Sequence, residues 1–478
     1  MWKLFKLVRS RRRRRSNKIE RASRARRFTS LPLSVSVHAC SICGLQMLNE
    51  DKEASLCLAK EEGINIRMRG AQRRVLLDVL MMCWGMGTWL GVNGIYVQLP
   101  LLVERLPEGW ALPSSMVLAV QLANVGLLVY GFLQRLRPNS LDSYYIYGLL
   151  TLGTLALVLN AFLYDQTSVI GASERSMAFL TLTFFAALVG CTSSVLFYPY
   201  LRHFRDVYLA TYFVGEGLSG FIPSILALIQ GIGGEPECLP VQNSTLIVPH
   251  YPPSRFDSTA FLLMLGALSA VSLVSFITIN KYKGFNSERV TMAAAAKDEE
   301  ATTEWPELLA PQWVIVLALM AVLNALHNGV LPSIQSYSCM PYGTQAYHLA
   351  VTLSAMANPA ACLAGVWLRP IAIKALVAML SMTSVPLLYI LATALLSPAP
   401  PLYSSVLGEA LVVISWVVVS GTVSYARMWV YAWARRGGAR GMWACGAATQ
   451  FGSAAGSALL FLLVNYTALF TQPDVCPT

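Results

Sequence analysis

From Val75 onward the chain alternates long apolar runs with short polar breaks. A helix needs about 20 apolar residues to cross ~30 Å of hydrocarbon. The pattern predicts about eleven spans, at 75–98, 114–134, 144–164, 177–200, 208–230, 258–280, 312–331, 346–367, 371–395, 405–429 and 442–464. Gly and Pro inside several of these runs argue against soluble helices and are tolerated in membrane ones, where neighbours satisfy the freed backbone groups. The fold class that follows is an all-α polytopic membrane protein. A polar stretch at 281–311, containing Lys297-Asp-Glu-Glu300, reads as a flexible cytoplasmic linker. It separates a six-helix bundle at 75–280 from a five-helix bundle at 312–464, and 465–478 follows as an extracellular tail.

Composition removes the soluble alternative. Of 478 residues, 55% are hydrophobic and 13% charged, against about 25% charged in soluble domains. The formal charge of +11 is unevenly placed. Residues 1–74 hold 19 Lys and Arg against 6 Asp and Glu, whereas the remaining 404 hold 17 against 19. No nucleic-acid-binding motif accompanies the basic tail, so nucleic acid is not expected as a partner.

The tail reads as a basic, disordered cytoplasmic extension. Its first 19 residues lack acids and interleave Trp2, Leu4, Phe5, Leu7 and Val8 with Lys3 and Lys6. Three readings stand: a segment lying on an anionic inner leaflet, a mitochondrial presequence, or an extension ahead of a start at Met68 or Met81.

With the first span entering from the cytoplasm, 14 of the 17 Lys and Arg beyond residue 74 fall on inner connections. Arg105, Arg175 and Arg255 alone fall outside. Positive charge marks the cytoplasmic side, so the N-terminus is expected inside and the C-terminus outside. Asn243-Ser-Thr, a glycosylation acceptor, falls in an outer loop on the same assignment.

The halves echo each other. Asn93-Gly94 in span one is matched by Asn328-Gly329 in span seven, and Ala123-Asn124 in span two by Ala357-Asn358 in span eight. The asparagines stand 31 residues apart in the first half and 30 in the second. Glu216 and Gln450, like Asn124 and Asn358, are offset by 234; Thr192 and Thr422 are offset by 230. A parallel repeat of this kind gives two similarly oriented bundles about a pseudo-twofold along the membrane normal, with the site between them. That is a major-facilitator-like or equilibrative-nucleoside-transporter-like, alternating-access architecture.

Polar side chains inside spans must face the bundle interior or a cavity. Gln121 and Asn124 share a helix face, as do Asn324, His327 and Asn328. With Asn93, Thr192, Asn358 and Gln450 they offer hydrogen-bonding groups without formal charge. Such a wall suits a neutral solute rich in hydrogen-bonding groups, and suits an inorganic ion or a phosphorylated metabolite badly. Trp89, Tyr212 and Phe213 lie at similar depth and can stack on a planar ligand. Glu216 is the one acid well inside a span, a candidate for proton binding or gating. Glu108, in Leu106-Pro-Glu-Gly-Trp110, is a second candidate for pH sensing, although a loop carboxylate is ordinarily solvated. Metal-ligand arrays, Walker and nucleophile-elbow motifs are lacking, so neither an enzyme nor a cofactor or metal site is expected.

Longer runs carry a resemblance. Gly85-Met-Gly-Thr-Trp-Leu-Gly-Val-Asn-Gly-Ile-Tyr-Val-Gln-Leu-Pro-Leu-Leu-Val103 is followed by Leu106-Pro-Glu-Gly-Trp110 and Val120-Gln-Leu-Ala-Asn-Val-Gly126. Phe213-Val-Gly-Glu-Gly-Leu-Ser-Gly220, Leu331-Pro-Ser-Ile-Gln-Ser-Tyr-Ser-Cys339, Ala346-Tyr-His-Leu-Ala350 and Gly408-Glu-Ala-Leu411 come next. Together, over 75–478, they resemble the eukaryotic riboflavin transporter family, in the family's order. The resemblance implies sodium-independent, facilitated uptake of riboflavin across the plasma membrane by an eleven-span carrier embedded in lipid. Riboflavin is a planar isoalloxazine with a polyhydroxyl ribityl chain and no phosphate, which suits an uncharged amide wall with aromatic neighbours.

Against the family pattern, the first 74 residues have no counterpart, His327 replaces a small hydroxyl residue, and Gln98 replaces a Glu. Cys238, Cys339 and Cys476 fall outside the membrane, where disulfides form; three thiols cannot all pair within one chain. Two other readings are weighed: a carrier of another neutral heterocycle such as a nucleoside, and a multi-span cell-surface receptor. The sequence offers no signal for an oligomeric state.

Overall fold

The computed structural model describes residues 74–478 except 138–140, 172, 202, 235, 241–246, 251, 290–309, 368–372, 435–437 and 474–478. The basic tail, Asn243 and Cys476 therefore lie outside the described residues.

The body is helical. Span one is broken into α1 (Val75–Met86) and α2 (Leu90–Val97), and span two into α3 (Leu112–Leu122) and α4 (Val125–Leu136). Spans three to six are α5 (Asp142–Leu163), α6 (Met177–Leu201), α7 (Asp206–Gln230) and α8 (Ser258–Lys281). Two short hairpins, β1 (Ser168–Ile170) with β2 (Ser173–Arg175) and β3 (Glu237–Pro240) with β4 (Ile247–His250), are antiparallel. They occupy the loops after α5 and α7. The second half comprises α9 (Ala310–Ala325), α10 (Leu331–Cys339), α11 (Thr344–Trp367), α12 (Ile373–Leu395), α13 (Val406–Ala434) and α14 (Gly438–Tyr466).

Among the described residues, eight helical segments are long and apolar enough to cross a membrane, or ten if two bent pairs each count as one span. The expected eleven is not reached. The segment expected at 346–367 does form α11, a 24-residue helix. Its first turns are buried, with Tyr347, Ala350 and Thr352 at 0% exposure.

The packing of helices repeats between halves. In the first half α1 lies on α7, α3 on α6, and α5 on α6; in the second α9 lies on α14, α11 on α13, and α12 on α13. The seam obeys the same symmetry. There α7 meets α11 while α14 meets α3, and α2 meets α11 while α10 meets α3.

Glycine makes the paired contacts possible. A Cβ on Gly215 would lie 2.0 Å from the Met82 carbonyl oxygen, and one on Gly85 2.2 Å from that of Tyr212. In the matching pair, a Cβ on Gly452 would lie 2.1 Å from the Ala321 oxygen and one on Gly456 2.6 Å from that of Ala325. Small residues let backbones approach where lipid supplies no hydrophobic drive between helices.

At the end carrying Trp110, hydrogen bonds cross the seam. Thr344 Oγ1 donates to Glu104 Oε1 (2.7 Å), Ser336 Oγ to the Trp110 carbonyl (2.6 Å), and the Trp110 N–H to Gln472 Oε1 (2.9 Å). Asn465 Nδ2 donates to Ser114 Oγ (3.0 Å).

At the opposite end, Lys283–Glu288 forms a 3₁₀ turn where a flexible connector was expected. Phe285 is buried. Glu288 is held by Arg205 (3.0 Å), Arg74 (3.5 Å) and the Tyr208 hydroxyl (3.1 Å). One buried ring and one doubly paired carboxylate thus fasten the start of the linker to the first bundle.

Candidate functional site

Each half opens its first span near the asparagine of its Asn-Gly pair. The axis of span one turns by 56° between α1 and α2. The carbonyls at that break accept i→i+3 bonds from the Gly87 and Thr88 N–H groups and hydroxyls as well: Ser272 Oγ donates to Trp84 O (2.9 Å) and Thr88 Oγ1 to Gly85 O (2.7 Å). Trp89 caps α2, and its ring occupies the space a Cβ on Gly190 would need, 2.6 Å away. In span seven, Leu326–Val330 forms a single π turn. Pro332 has no N–H for the Asn328 carbonyl; Ser457 Oγ, which donates to Ser453 O (2.7 Å), stands 3.4 Å from that carbonyl. π turns of this kind gather at functional sites.

Span two has a milder break. Around Ala123 and Asn124 the backbone bonds shorten to i→i+3 steps, Asn124 N to Gln121 O and Gly126 N to Ala123 O. Asn124 Nδ2 donates to the Gln121 carbonyl (3.0 Å) and to its Oε1 (3.2 Å). Asn124 Oδ1 is buried and accepts nothing. Asn93 Nδ2 donates to Ser219 Oγ (3.2 Å) beside Gly220, whose missing Cβ would lie 3.4 Å from Asn93 and 3.6 Å from the Ala355 carbonyl of α11. Asn93 therefore stands at the seam.

The second-half amides bond to one another. Asn324 is fully buried and donates to Met320 O (2.8 Å). Asn328 Nδ2 donates to Asn324 Oδ1 (3.2 Å) and Ser453 Oγ (3.0 Å). His327, in the same π turn, is an electrostatic neighbour of Arg427 in α13. Asn358 is half-buried on α11, one residue before Pro359, whose Cβ would lie 3.6 Å from a Cβ on Gly217.

Three residues expected in the wall, and the pH-sensing candidate Glu108, are placed as follows. Tyr212 is fully buried, edge-on to Trp84 at 5.0 Å, in a ring cluster with Phe197, Tyr200 and Phe276; it is core. Thr192 Oγ1 donates back to Leu188 O in its own helix, and its methyl packs toward Gly126. Gln450 is exposed on α14, at the edge of the exposed stripe that carries Phe451 and adjoins the Ser453 and Ser457 face. Glu108 is not solvated: it is buried and accepts from the Ser176 N–H (2.6 Å) and Oγ (2.8 Å). A carboxylate at the start of α6 satisfies an orphan donor and opposes the helix dipole.

Glu216 is half-buried; Tyr198 Oη donates to its Oε2 (3.3 Å), and Trp89 lies within bonding reach. Phe213 is 46% exposed with its ring 5.5 Å from Tyr198. Gly215 beside Glu216 serves the contact with α1, so that glycine makes room for a helix backbone.

Among the cysteines, Cys238 is disulfide-bonded and Cys339 is a buried free thiol, which removes Cys339 from the disulfide candidates. It lies at the buried end of α10, where Ile334 and Tyr337 share its surroundings.

Sequence reasoning passed over two residues. Tyr198 holds Glu216; a tyrosine beside Pro199 inside an apolar span was the available signal. Arg427, counted with the inner loops, lies within the α13 span beside His327; its flanking apolar run on both sides was the cue.

The family model "Solute carrier family 52, riboflavin transporter" matches residues 73–308 and 286–472. The chain is 37% identical over 444 residues to the zebrafish (Danio rerio) protein named solute carrier family 52, riboflavin transporter, member 3-B, covering 84% of this chain and 98% of that one. It is 36% identical to the human member 3 and 37% identical to the human member 2, covering 84% of this chain each time and 98% and 97% of theirs. Among solved structures, a D-xylose-proton symporter superposes with a TM-score of 0.51 at 12% identity, over 82% of this chain and 90% of that one. The major-facilitator-like fold read from the sequence is thereby shown.

Proposed function

The chain belongs to solute carrier family 52, the riboflavin transporters, and on that premise we propose that it carries riboflavin across the plasma membrane by alternating access between its two bundles. It is a carrier and not an enzyme. The observation that supports this reading most is the uncharged polar set at the seam. Asn93 stands there beside α11, and Asn124 keeps a buried, unpartnered acceptor next to Gln121. An amide edge of this kind pairs with the N–H and carbonyls of an isoalloxazine ring, and it provides no counter-charge for a phosphate.

The bundles at 75–280 and 312–464 rock about this site without a sodium requirement. The Trp110 end faces outward, in accord with the basic residues on the other side and with Asn243. The bonds that cross the seam there, Thr344 to Glu104 and Ser336 to Trp110 among them, must break for solute to enter from outside.

Uptake of labelled riboflavin by cells expressing the chain tests the proposal. Saturable uptake, blocked by excess unlabelled riboflavin and unaffected by replacing sodium, is expected. Uptake no greater than in control cells, or stronger block by a nucleoside than by riboflavin, overturns it.

A further inference from the structure

Two phenol groups at the seam are unused by anything described above. Tyr96 stands one turn beyond Asn93 on α2, on the same face. Tyr347 stands on α11, two turns beyond Ser354 toward the Trp110 end. The Tyr96 and Tyr347 hydroxyls are both buried, and neither has a hydrogen-bond partner. Tyr347 is fully buried, and the two phenols are electrostatic neighbours across the contact between bundles. Buried polar groups are otherwise nearly always bonded. Two orphans on helices in contact from opposite bundles need an explanation that packing alone does not give, because phenylalanine would fill the same volume.

We propose that Tyr96 and Tyr347 form a hydroxyl-reading clamp for the ribityl chain of the substrate, one phenol from each bundle. The assignment rests on the riboflavin reading above and adds which end of the molecule lies where. A phenol both donates and accepts one hydrogen bond, as does each alcohol of a polyol, so a phenol pair matches a sugar-alcohol chain without fixing a protonation state. The ring of the flavin, with fixed donors and acceptors at its edge, matches the amides at Asn93 and Asn124. The clamp lies one turn toward the Trp110 end from Asn93, so the flavin ring sits deeper and its chain points toward that end. A site that bonds a ligand hydroxyl discriminates strongly against an analogue lacking it, since its own polar groups are then left unpaired.

The test compares riboflavin with lumiflavin, the same ring without the ribityl chain. In cells expressing the full chain, wild type, Tyr96→Phe, Tyr347→Phe and the double variant are matched for surface level by biotinylation. Riboflavin KM and the inhibition constant of lumiflavin are then measured. Each single variant is expected to raise the riboflavin KM about tenfold, the loss of one hydrogen bond in a dry site, and to leave lumiflavin inhibition unchanged. Equal weakening toward both ligands means that the phenols hold the cavity together or touch the ring, and it overturns the proposal. Unchanged constants for both ligands overturn it too. If wild type takes up no riboflavin, the transport reading itself has failed and the clamp fails with it; failure in the variants alone leaves transport standing.

Discussion

The asparagines that the repeat matches in the first spans, Asn93 and Asn328, make the same bond to a serine of the neighbouring helix, Ser219 and Ser453; it is the remaining amides of the two bundles that are put to opposite uses. In the second, Asn324 and Asn328 bond to each other, to Met320 O and to Ser453. Those amides join α9, the π turn and α14. In the first, Asn124 leans on Gln121 of its own helix and keeps a buried oxygen without a donor. The same residue type is a joint in one half and an open valence in the other. Residues matched by the repeat in the first spans keep their bond; what separates the other amides is whether the partner is already in the protein.

The comparison can be broken at several points. Gly452→Val should act most strongly, because even a Cβ would lie 2.1 Å from the Ala321 carbonyl. Loss of folded protein from the surface is expected, by fluorescence-detected size exclusion, while Gly446→Ala, with open space around it, should express normally. Asn328→Leu strands Asn324 Oδ1 and Ser453 Oγ, and should cost about 1–3 kcal/mol, visible as a lower thermal midpoint. Glu108→Ala removes the cap of α6 and should cost about 1 kcal/mol, a smaller fall in the same midpoint with riboflavin KM preserved. Gln450→Leu, on the exposed stripe of α14, should change neither midpoint nor uptake. A loss of uptake there would restore Gln450 to the site and undo the contrast between halves.

Much of the architecture was legible in the sequence, because membrane-spanning helices announce themselves by length and apolarity. The repeat was legible too: Asn93 and Asn328 do lie at the opened first span of each half. The site was less so. Tyr212 and Thr192 carry the same polar atoms as a wall residue, yet one is locked in a ring cluster and the other bonds its own helix. Helical periodicity gives the face of a residue but not the neighbour across from it. Glu108 illustrates the converse, since a loop carboxylate in sequence became a buried helix cap once Ser176 folded against it.

The most direct test is equilibrium binding of labelled riboflavin to purified wild type, Asn124→Leu and Asn328→Leu. With the site on the unpaired first-half amide, Asn124→Leu should bind at least tenfold more weakly at an unchanged thermal midpoint. Asn328→Leu should bind within about twofold of wild type despite its lower midpoint. Equal affinity in wild type and Asn124→Leu, or the larger loss in Asn328→Leu, would contradict the account.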